Sequence, residues 1–271
     1  MKNEVCYRCN DSRFDRMLAI DKAVSIVKCR KCGLARTYPY PDFNYGSQEK
    51  YCKFYLDNGS SFRTFARAIM AEVKKYKTGG RFLDIGCSVG YLLDEARDAG
   101  FKETFGVELN LDAAEAARKK GHVVYTKPLE ELKLEEKMFD AVSFNHVLEH
   151  ILYFKPFLAQ TGRILKDDGV VYAGMPNYNS LMQKWLKQNW YGWGMPDHVW
   201  HFEPATFKAV MMEGGFEAKG IKQNTMGYSY SKSLRKNTIA TVARIADRLG
   251  CGDQALGVFK KVIFTQVDWL R

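Results

Sequence analysis

The sequence predicts an α/β protein with a doubly wound, mostly parallel sheet of seven strands, preceded by a small N-terminal cysteine module. Three observations support this fold class. Segments typical of strands alternate with helical segments from residue 82 to residue 174, a glycine turn joins the first strand to a helix, and an acid ends the second strand. Such alternation predicts a parallel sheet that binds its ligands at the carboxyl ends of the strands.

The elements of the core follow from apolar runs and from the residues that interrupt them. Strands are expected at 82–86, 104–108, 122–125, 139–144 and 170–174, and helices at 90–99, 112–120 and 156–166. Asp112 and Glu115 form a capping box at the start of the second helix. Gly100 and Gly121 are expected to end the first two helices.

The C-terminal third is expected to complete the sheet. Pro204 at a first helical position predicts a helix over 204–213. Segments Phe216–Ile221 and Leu256–Phe264 are expected to form an antiparallel pair of strands. Between them, Ser233–Leu249 has the pattern of an amphipathic helix that packs on the core.

The glycine turn indicates which nucleoside the fold binds. Its spacing, Gly86-x-x-x-Gly90, differs from the G-x-G-x-x-G of dinucleotide sites, and Asp84 would repel a pyrophosphate placed on the turn. A carboxylate suits a ligand with an ammonium group, while Glu108 at the end of the next strand suits ribose hydroxyls. S-adenosylmethionine (SAM) has both groups and no phosphate.

Four ordered blocks within residues 81–177 resemble the class I SAM-dependent methyltransferases. Asp84–Gly90 resembles their motif I, with Ser88 in place of the middle glycine, and Glu108 resembles their ribose-binding acid. Blocks 139–150, 163–169 and 170–177 resemble the fourth strand, its helix and the fifth strand. The resemblance implies a Rossmann-like sheet and SAM as cofactor; a dinucleotide-dependent oxidoreductase or an unliganded α/β domain is the alternative. The implied cofactor-binding residues are Asp84, Gly86, Cys87, Gly90, Glu108, Leu109, Leu129 and Asn145.

Two C-x-x-C pairs near the N-terminus predict a zinc ribbon. Nineteen residues separate the pairs, a spacing typical of four thiolates around one zinc ion, and residues 14–27 alternate enough to form a hairpin between them. Zinc would supply much of the folding energy of so small a module. Incidental cysteines or disulfides are the alternative. The expected ligands are Cys6, Cys9, Cys29 and Cys32.

These patterns divide the chain into three parts. Residues 1–40 form the zinc-ribbon module, residues 41–78 a tyrosine-rich linker with a helix from about Ser61 to Tyr76, and residues 79–271 the methyltransferase domain. This order of parts resembles bacterial methyltransferases of saccharide and natural-product pathways. The ribbon is expected to hold substrate, orient the core or mediate a homodimer.

The segment 185–203 is expected to bind the methyl acceptor. It contains four of the five tryptophans, and its glycines would let it act as a lid, although a packed hydrophobic cluster is an equal alternative. Aromatic faces suit a sugar ring or a base. Histidine is a suitable general base, so the candidate catalytic residues are His198, the first choice because Asp197 precedes it, then His201 and His146. His150 is expected to pack, and His198 with His201 lacks further nearby ligands for a metal.

The net charge of +10 is concentrated at the two ends of the chain. Residues 1–40 have nine Lys or Arg against four acids, and residues 218–271 have ten against three. Basic ends attract RNA, an anionic substrate or an acidic partner, unless they form only a solvated surface. Without an apolar run of about 18 residues or a secretory leader, the chain is expected to be cytoplasmic, with no membrane span and with reduced thiols.

The sequence therefore predicts methyl transfer from SAM to a small, anionic acceptor, a saccharide or a nucleotide-linked sugar. An rRNA or tRNA methyltransferase is the enzymatic alternative, because zinc ribbons and basic ends also suit RNA; neither an N-P-P-Y/F motif nor a catalytic cysteine motif supports it. A SAM-binding or zinc-dependent interaction protein without turnover is the third hypothesis.

Overall fold

The structure is a computed structural model that describes residues 5–41, 49–194, 196–225 and 235–262, without the side chains of residues 49 and 235–240. The strands are β1 (Phe14–Ala19), β2 (Ser25–Cys29), β3 (Ala35–Tyr38), β4 (Gly80–Ile85), β5 (Phe101–Val107), β6 (Val123–Tyr125), β7 (Phe139–Asn145), β8 (Leu165–Pro176), β9 (Trp200–His201), β10 (Phe216–Asn224) and β11 (Gln254–Lys261). The α-helices are α1 (Glu49–Asp57), α2 (Gly59–Val73), α3 (Tyr91–Asp98), α4 (Leu111–Arg118), α5 (Phe154–Ile164), α6 (Leu181–Leu186), α7 (Pro204–Glu213) and α8 (Arg235–Arg248).

The main sheet has seven strands in the order β10-β11-β8-β7-β4-β5-β6. Neighbours from β8 to β6 are parallel, and β11 runs antiparallel to both β8 and β10. This confirms the predicted doubly wound, seven-stranded fold. The chain order reverses between β4 and β7, and ligands of such sheets bind in the crevice that opens beyond the carboxyl ends at that point.

Helices cover both faces of the sheet, so its central strands are apolar along most of their length. One hydrophobic cluster joins residues of α2, α3 and α4 to one face, and a second joins α5 and α7 to the other. Strands β4 and β7 are almost fully buried. The rigid core thereby fixes the loops at its carboxyl edge.

A second, four-stranded sheet has the order β1-β2-β3-β9. The first three strands come from the N-terminal cysteine module, but β9 belongs to the aromatic segment 185–203, and Arg36 pairs with Trp200 in this ladder. The cysteine module and the methyltransferase domain, which were predicted as separate parts of the chain, therefore share one sheet. Buried Cys6 and Cys29 also belong to the same hydrophobic cluster as β4.

Several predicted boundaries were wrong. Helix α4 is capped by Asn110, whose side chain accepts a hydrogen bond from the Ala113 amide at 3.0 Å, and not by the predicted capping box at Asp112. The helix predicted to reach residue 166 ends at 164, because Leu165 already pairs with Phe139 in the sheet.

Helix α1, in the linker, was not predicted. Residues 233–234 of the predicted amphipathic helix and residues 263–264 of the predicted last strand lie outside the described residues. In the described ranges, every helix is too short or too polar to cross a bilayer.

Candidate active site

Two cavities open at the carboxyl edge of the main sheet, of about 410 Å³ and about 220 Å³. Gly86 and His146 line both, so the two cavities are lobes of one site. Seven of the eight residues predicted to bind the cofactor line these lobes, and the eighth, Gly90, precedes α3 as its N-cap. The larger lobe contains Glu108, Leu109 and Leu129, and the smaller contains Asp84, Cys87 and Asn145.

The turn between β4 and α3 brings the backbone into this site. Gly86 and Gly90 have φ angles of +76° and +82°, in the region that favours glycine. A Cβ on Gly86 would lie 2.7 Å from a methyl group of Val147. Ser88, the departure from the expected glycine, also takes a left-handed φ of +48°, and its amide donates to Glu108 at 2.8 Å. The hydrogen bond keeps the turn's shape despite the side chain.

Glu108 is held by two backbone amides. Its Oε2 accepts from the Ser88 amide and its Oε1 from the Asn110 amide, both at 2.8 Å. Burial raises the pKa of Glu108, and these hydrogen bonds oppose that rise. Each carboxylate oxygen has a second lone pair to offer. Glu108 therefore presents two fixed acceptors to the larger lobe, as a ribose diol requires.

Asp84 lies at the base of the smaller lobe and is only 5% exposed. Its Oδ1 accepts a hydrogen bond from the Ser143 hydroxyl at 2.5 Å. Burial, with the charge of Glu108 adding to it, raises the pKa of Asp84 to about 7. Nearby, Asn145 Oδ1 is buried without a hydrogen-bond partner among the described residues. Both oxygens are suited to accept from a ligand ammonium group.

Helix α1 supplies an aromatic cover that the sequence analysis missed. Tyr51 lines the larger lobe and Tyr55 the smaller, and their ring centroids are 4.8 Å apart. Tyr55 also stacks on Phe62 of α2 at 4.3 Å. Burial raises the pKa of both tyrosines. The i, i+4 spacing of the two tyrosines is the sequence signal that could have identified this helix face.

His146 stands where the two lobes meet. Its φ of +56° is uncommon for a residue with a side chain, and its amide donates to the Gly174 carbonyl at 2.9 Å. The ring Nδ1 lies 3.2 Å from Glu149 Oε1, and Nε2 lies 3.0 Å from the Gln254 amide nitrogen. Because an amide NH₂ only donates, this orientation makes Nδ1 the protonated nitrogen. Strained residues of this kind are characteristic of functional sites.

Glu149, which lies in the block 139–150 that resembles the methyltransferase family, is 1% exposed. Burial alone would raise the pKa of its carboxyl group, but His146, with His150 and His198 nearby, lowers it to about 2. Its backbone carbonyl accepts from the Val199 amide at 2.9 Å. A buried carboxylate is thus held among histidines beside the larger lobe.

His198 and His201 line neither lobe. His198 Nδ1 lies 3.0 Å from the Gly192 carbonyl, and burial lowers the pKa of its ring well below its ordinary value. Burial lowers the pKa of His201 to about 3, and its Nε2 lies 3.0 Å from the Thr37 hydroxyl. By contrast, His150, expected only to pack, lines the larger lobe with Asp197.

The aromatic segment forms a packed wall between the small sheet and the core. Trp190, Trp193 and Trp200 are each no more than 2% exposed, and only Trp185 is largely accessible. The Trp200 indole donates to the Ile151 carbonyl at 2.9 Å, and Tyr7 of the cysteine module stacks on its ring. This burial matches the packed-cluster alternative.

The four predicted metal ligands converge. Their sulfur atoms lie within 4.8 Å of one another, with Cys6–Cys32 at 3.5 Å and Cys9–Cys29 at 3.6 Å. A disulfide would need about 2.0 Å. Four thiolates around zinc, with Zn–S bonds of about 2.3 Å, have sulfur–sulfur edges of about 3.8 Å. Gly33 makes the bend after the last ligand with a φ of +76°. The cluster therefore fits a tetrahedral zinc ion.

Comparisons with known proteins agree with this architecture. The family model described as a methyltransferase domain matches residues 59–219, more than half of the chain. An uncharacterised protein of Methanocaldococcus jannaschii is 26% identical over 140 residues, which span 52% of this chain and 64% of that relative.

Two solved structures share the fold. One is from the complex between the Haloferax volcanii Trm112 methyltransferase activator and a methyltransferase, with 14% identity, a TM-score of 0.63, and 80% of this chain and 95% of that chain covered. The other is a SAM-dependent methyltransferase from Archaeoglobus fulgidus, with 22% identity, a TM-score of 0.58, and 77% and 99% covered. At these identities the likeness is one of fold.

Proposed function

This chain belongs to the methyltransferase domain family, and from that premise we propose that it transfers a methyl group from SAM to a small, anionic acceptor, a saccharide or a nucleotide-linked sugar. We also propose that Cys6, Cys9, Cys29 and Cys32 hold one structural zinc ion. Both proposals rest on residues that already converge in the described part of the chain.

The proposal rests on one observation, that the two lobes meet at His146. Glu108 and Leu129 in the larger lobe suit an adenosine, and Asp84 with Asn145 in the smaller lobe suits an amino-acid group. A ligand with both parts must pass Gly86 and His146, so its reactive centre falls beside the histidine. The rest of the larger lobe, around His150 and Asp197, is left for the acceptor.

The chemistry of His146 suits a general base. When bound, SAM supplies an electrophilic methyl group on a sulfonium. An acceptor hydroxyl at the junction would take the place of Gln254 at His146 Nε2 and give its proton to that nitrogen. The Nδ1–H faces Glu149, whose negative charge stabilises the resulting imidazolium. His198 and His201, the earlier candidates, lack access to either lobe, so we assign the base to His146.

Size and charge support a small anionic acceptor. The larger lobe, at about 410 Å³, falls in the range of about 300–1,000 Å³ typical of small-molecule sites, and it would hold the adenosine of SAM together with the acceptor. The net charge of +10, concentrated at the two ends of the chain, attracts anions toward the molecule, while the described lining of the larger lobe itself has acids and no lysine or arginine. The order of ribbon, linker and core, which resembles saccharide methyltransferases, supports a sugar.

The test measures S-adenosylhomocysteine release with a panel of nucleotide sugars and, separately, with RNA. We expect turnover with at least one nucleotide sugar. Glu108→Ala should weaken SAM binding by at least about tenfold in calorimetry, because two desolvated carboxylate acceptors are lost. Glu103→Ala, on the strand β5 that precedes Glu108 but about half exposed and paired with Arg81, should bind SAM like the wild type.

Two results would contradict different parts of the proposal, one the cofactor site and the other the acceptor. An unchanged SAM affinity in Glu108→Ala would sink the cofactor site. Methylation of RNA but of none of the sugars, with steep salt dependence, would keep the methyltransferase and replace the acceptor. The basic chain ends are the feature that favours this alternative.

A further inference from the structure

We propose that Glu149, His150 and His198 form a second metal site, for a divalent transition-metal ion, beside the larger lobe, which His150 lines. One potential ligand atom from each of the three residues lies within 4.8 Å of the others. The site is separate from the four-cysteine cluster and differs from it in donor chemistry. It uses residues from two distant parts of the chain, which meet only in the fold.

The tautomers of the two histidines suit metal binding. His150 Nδ1 lies 3.1 Å from the Asp197 carbonyl, and His198 Nδ1 lies 3.0 Å from the Gly192 carbonyl. A carbonyl only accepts hydrogen bonds, so each Nδ1 carries the proton and each Nε2 carries the lone pair. Metal-binding histidines usually donate their other ring N–H to a carbonyl or carboxylate in this way.

Glu149 provides an independent indication of a cation. The residue is 1% exposed, and its Oε2 makes no hydrogen bond to any residue that the structure describes. Oε1 lies 3.2 Å from His146 Nδ1. A buried carboxylate oxygen without a hydrogen bond is costly, and a divalent ion ligated by that oxygen removes the cost.

The donor set points to the class of metal. Two imidazoles and one carboxylate with open coordination positions are typical of reactive sites for zinc, iron and related ions. His150 lines the larger lobe, so an oxygen atom of a bound molecule could occupy an open position. His201 is not part of the set, since its Nε2 faces Thr37.

A metal here would supply the positive charge that the lobe otherwise lacks. None of the described residues lining the larger lobe is a lysine or arginine, while Glu108, Glu130 and Asp197 are acidic. A divalent ion would bind an oxygen of an anionic or hydroxyl-bearing acceptor and lower the pKa of a bound hydroxyl. This role rests on the proposed function, but the presence of the site does not.

Binding of Mn²⁺ to the zinc-loaded protein tests the proposal, because Mn²⁺ prefers oxygen ligands such as the Glu149 carboxylate and does not compete for the four thiolates. Titration followed by electron paramagnetic resonance should show about one bound Mn²⁺ per chain. Glu149→Gln and His150→Gln should each weaken Mn²⁺ binding by at least about tenfold. His122→Gln changes the one histidine outside this region, which is bonded to Asp94 and Thr104, and should bind Mn²⁺ like the wild type.

SAM calorimetry on each variant reports whether it is folded, and His150→Gln is the milder change should Glu149→Gln fail to fold. The proposal is overturned if the wild type binds no Mn²⁺. It is also overturned if folded His150→Gln binds Mn²⁺ as tightly as wild type, which would mean a purely hydrogen-bonded histidine cluster. Because the titration needs no acceptor, failure to methylate any sugar would leave this result intact.

Discussion

Asp84 and Glu108 are two carboxylates in one site, and they differ in the hydrogen bonds that they accept. Burial raises the pKa of both. Glu108 accepts from two backbone amides, whereas the hydrogen bond shown for Asp84 comes from one hydroxyl, that of Ser143. The pKa of Asp84 is raised to about 7, so this carboxyl group titrates near neutral pH.

We predict that SAM binding depends on pH through Asp84. The raised pKa means that the free protein is protonated at Asp84 below about pH 7, and a ligand ammonium favours the ionised form. SAM affinity should therefore rise with pH between 6 and 7, by at most about tenfold per unit, and level off above. Calorimetry in buffers of different ionisation enthalpy should detect one released proton below pH 7.

Two variants separate Asp84 from other groups. Asp84→Asn should bind SAM more weakly and remove the pH dependence. Ser143→Ala removes the hydrogen bond that stabilises the carboxylate, so the midpoint of the profile should move to higher pH. A wild-type affinity that stays constant from pH 6 to 8 would refute this account.

At the scale of elements, α1 and α2 supply an aromatic cover for the cofactor site. Tyr51, Tyr55 and Phe62 form a continuous set of ring contacts beside both lobes. Aromatic side chains bury large areas with few rotatable bonds. A cover of this kind orders a bound ligand without adding charge to the site.

We predict that Tyr51→Ala weakens SAM binding by about 1 kcal/mol, or roughly fivefold. The matched control is Lys53→Ala on the same helix, whose exposed ion pair with Asp57 is worth about 0.3–0.5 kcal/mol in helix stability. Calorimetry at fixed pH compares the two. Equal SAM affinity in both variants would show that α1 does not cover the cofactor.

Local patterns predicted the central elements well and the linker poorly. Strands β4 and β7 are short apolar runs bounded by glycine or polar residues, so their positions followed from the sequence alone. Helix α1 was missed because Pro39 and Pro41 favour extended backbone just before the tyrosine-rich stretch. Strand β9 is two residues long and exists only because it pairs with β3, a tertiary effect that no local pattern contains.

At the scale of the whole molecule, the candidate site likewise combines residues whose convergence local patterns predict with residues that only tertiary packing brings together. The turn residues, Asp84 and Glu108 lie within one βαβ unit, so their convergence could be predicted. His198 lies 48 residues after His150, and only the shared packing of the two sheets brings their rings to 4.5 Å. Sequence spacing alone therefore led to discounting a metal at His198.

A chain of hydrogen bonds connects the cysteine module to this histidine cluster. The Thr37 hydroxyl donates to the His198 carbonyl at 2.6 Å, and the Thr37 amide donates to the Val199 carbonyl at 2.9 Å. The Val199 amide in turn donates to the Glu149 carbonyl at 2.9 Å. Arg8 adds a bidentate ion pair with Glu213 of α7. The module thus supports the side of the site that carries Glu149 and His198, where we propose that the acceptor binds.

This arrangement predicts that losing zinc affects the two sides of the site unequally. In the double variant Cys6→Ser, Cys9→Ser, zinc should fall from about one per chain to none, because two of four thiolates are gone. Strand β3 would then lose its support, and with it the positions of Val199 and Glu149. Hydrogen exchange should increase in peptides covering residues 146–150 and 196–202, and change little in residues 80–98.

In the same double variant, SAM binding should respond differently from methyl transfer and Mn²⁺ binding. SAM affinity in the double variant should stay within about threefold of wild type, because Asp84 and Glu108 are held by the main sheet and by backbone amides. Methyl transfer and Mn²⁺ binding should be lost. Cys52→Ser, which changes a cysteine of α1 outside the cluster, should keep zinc, methyl transfer and Mn²⁺ binding. A zinc-free, folded protein with full methyl transfer would show that the ribbon does not position the acceptor side.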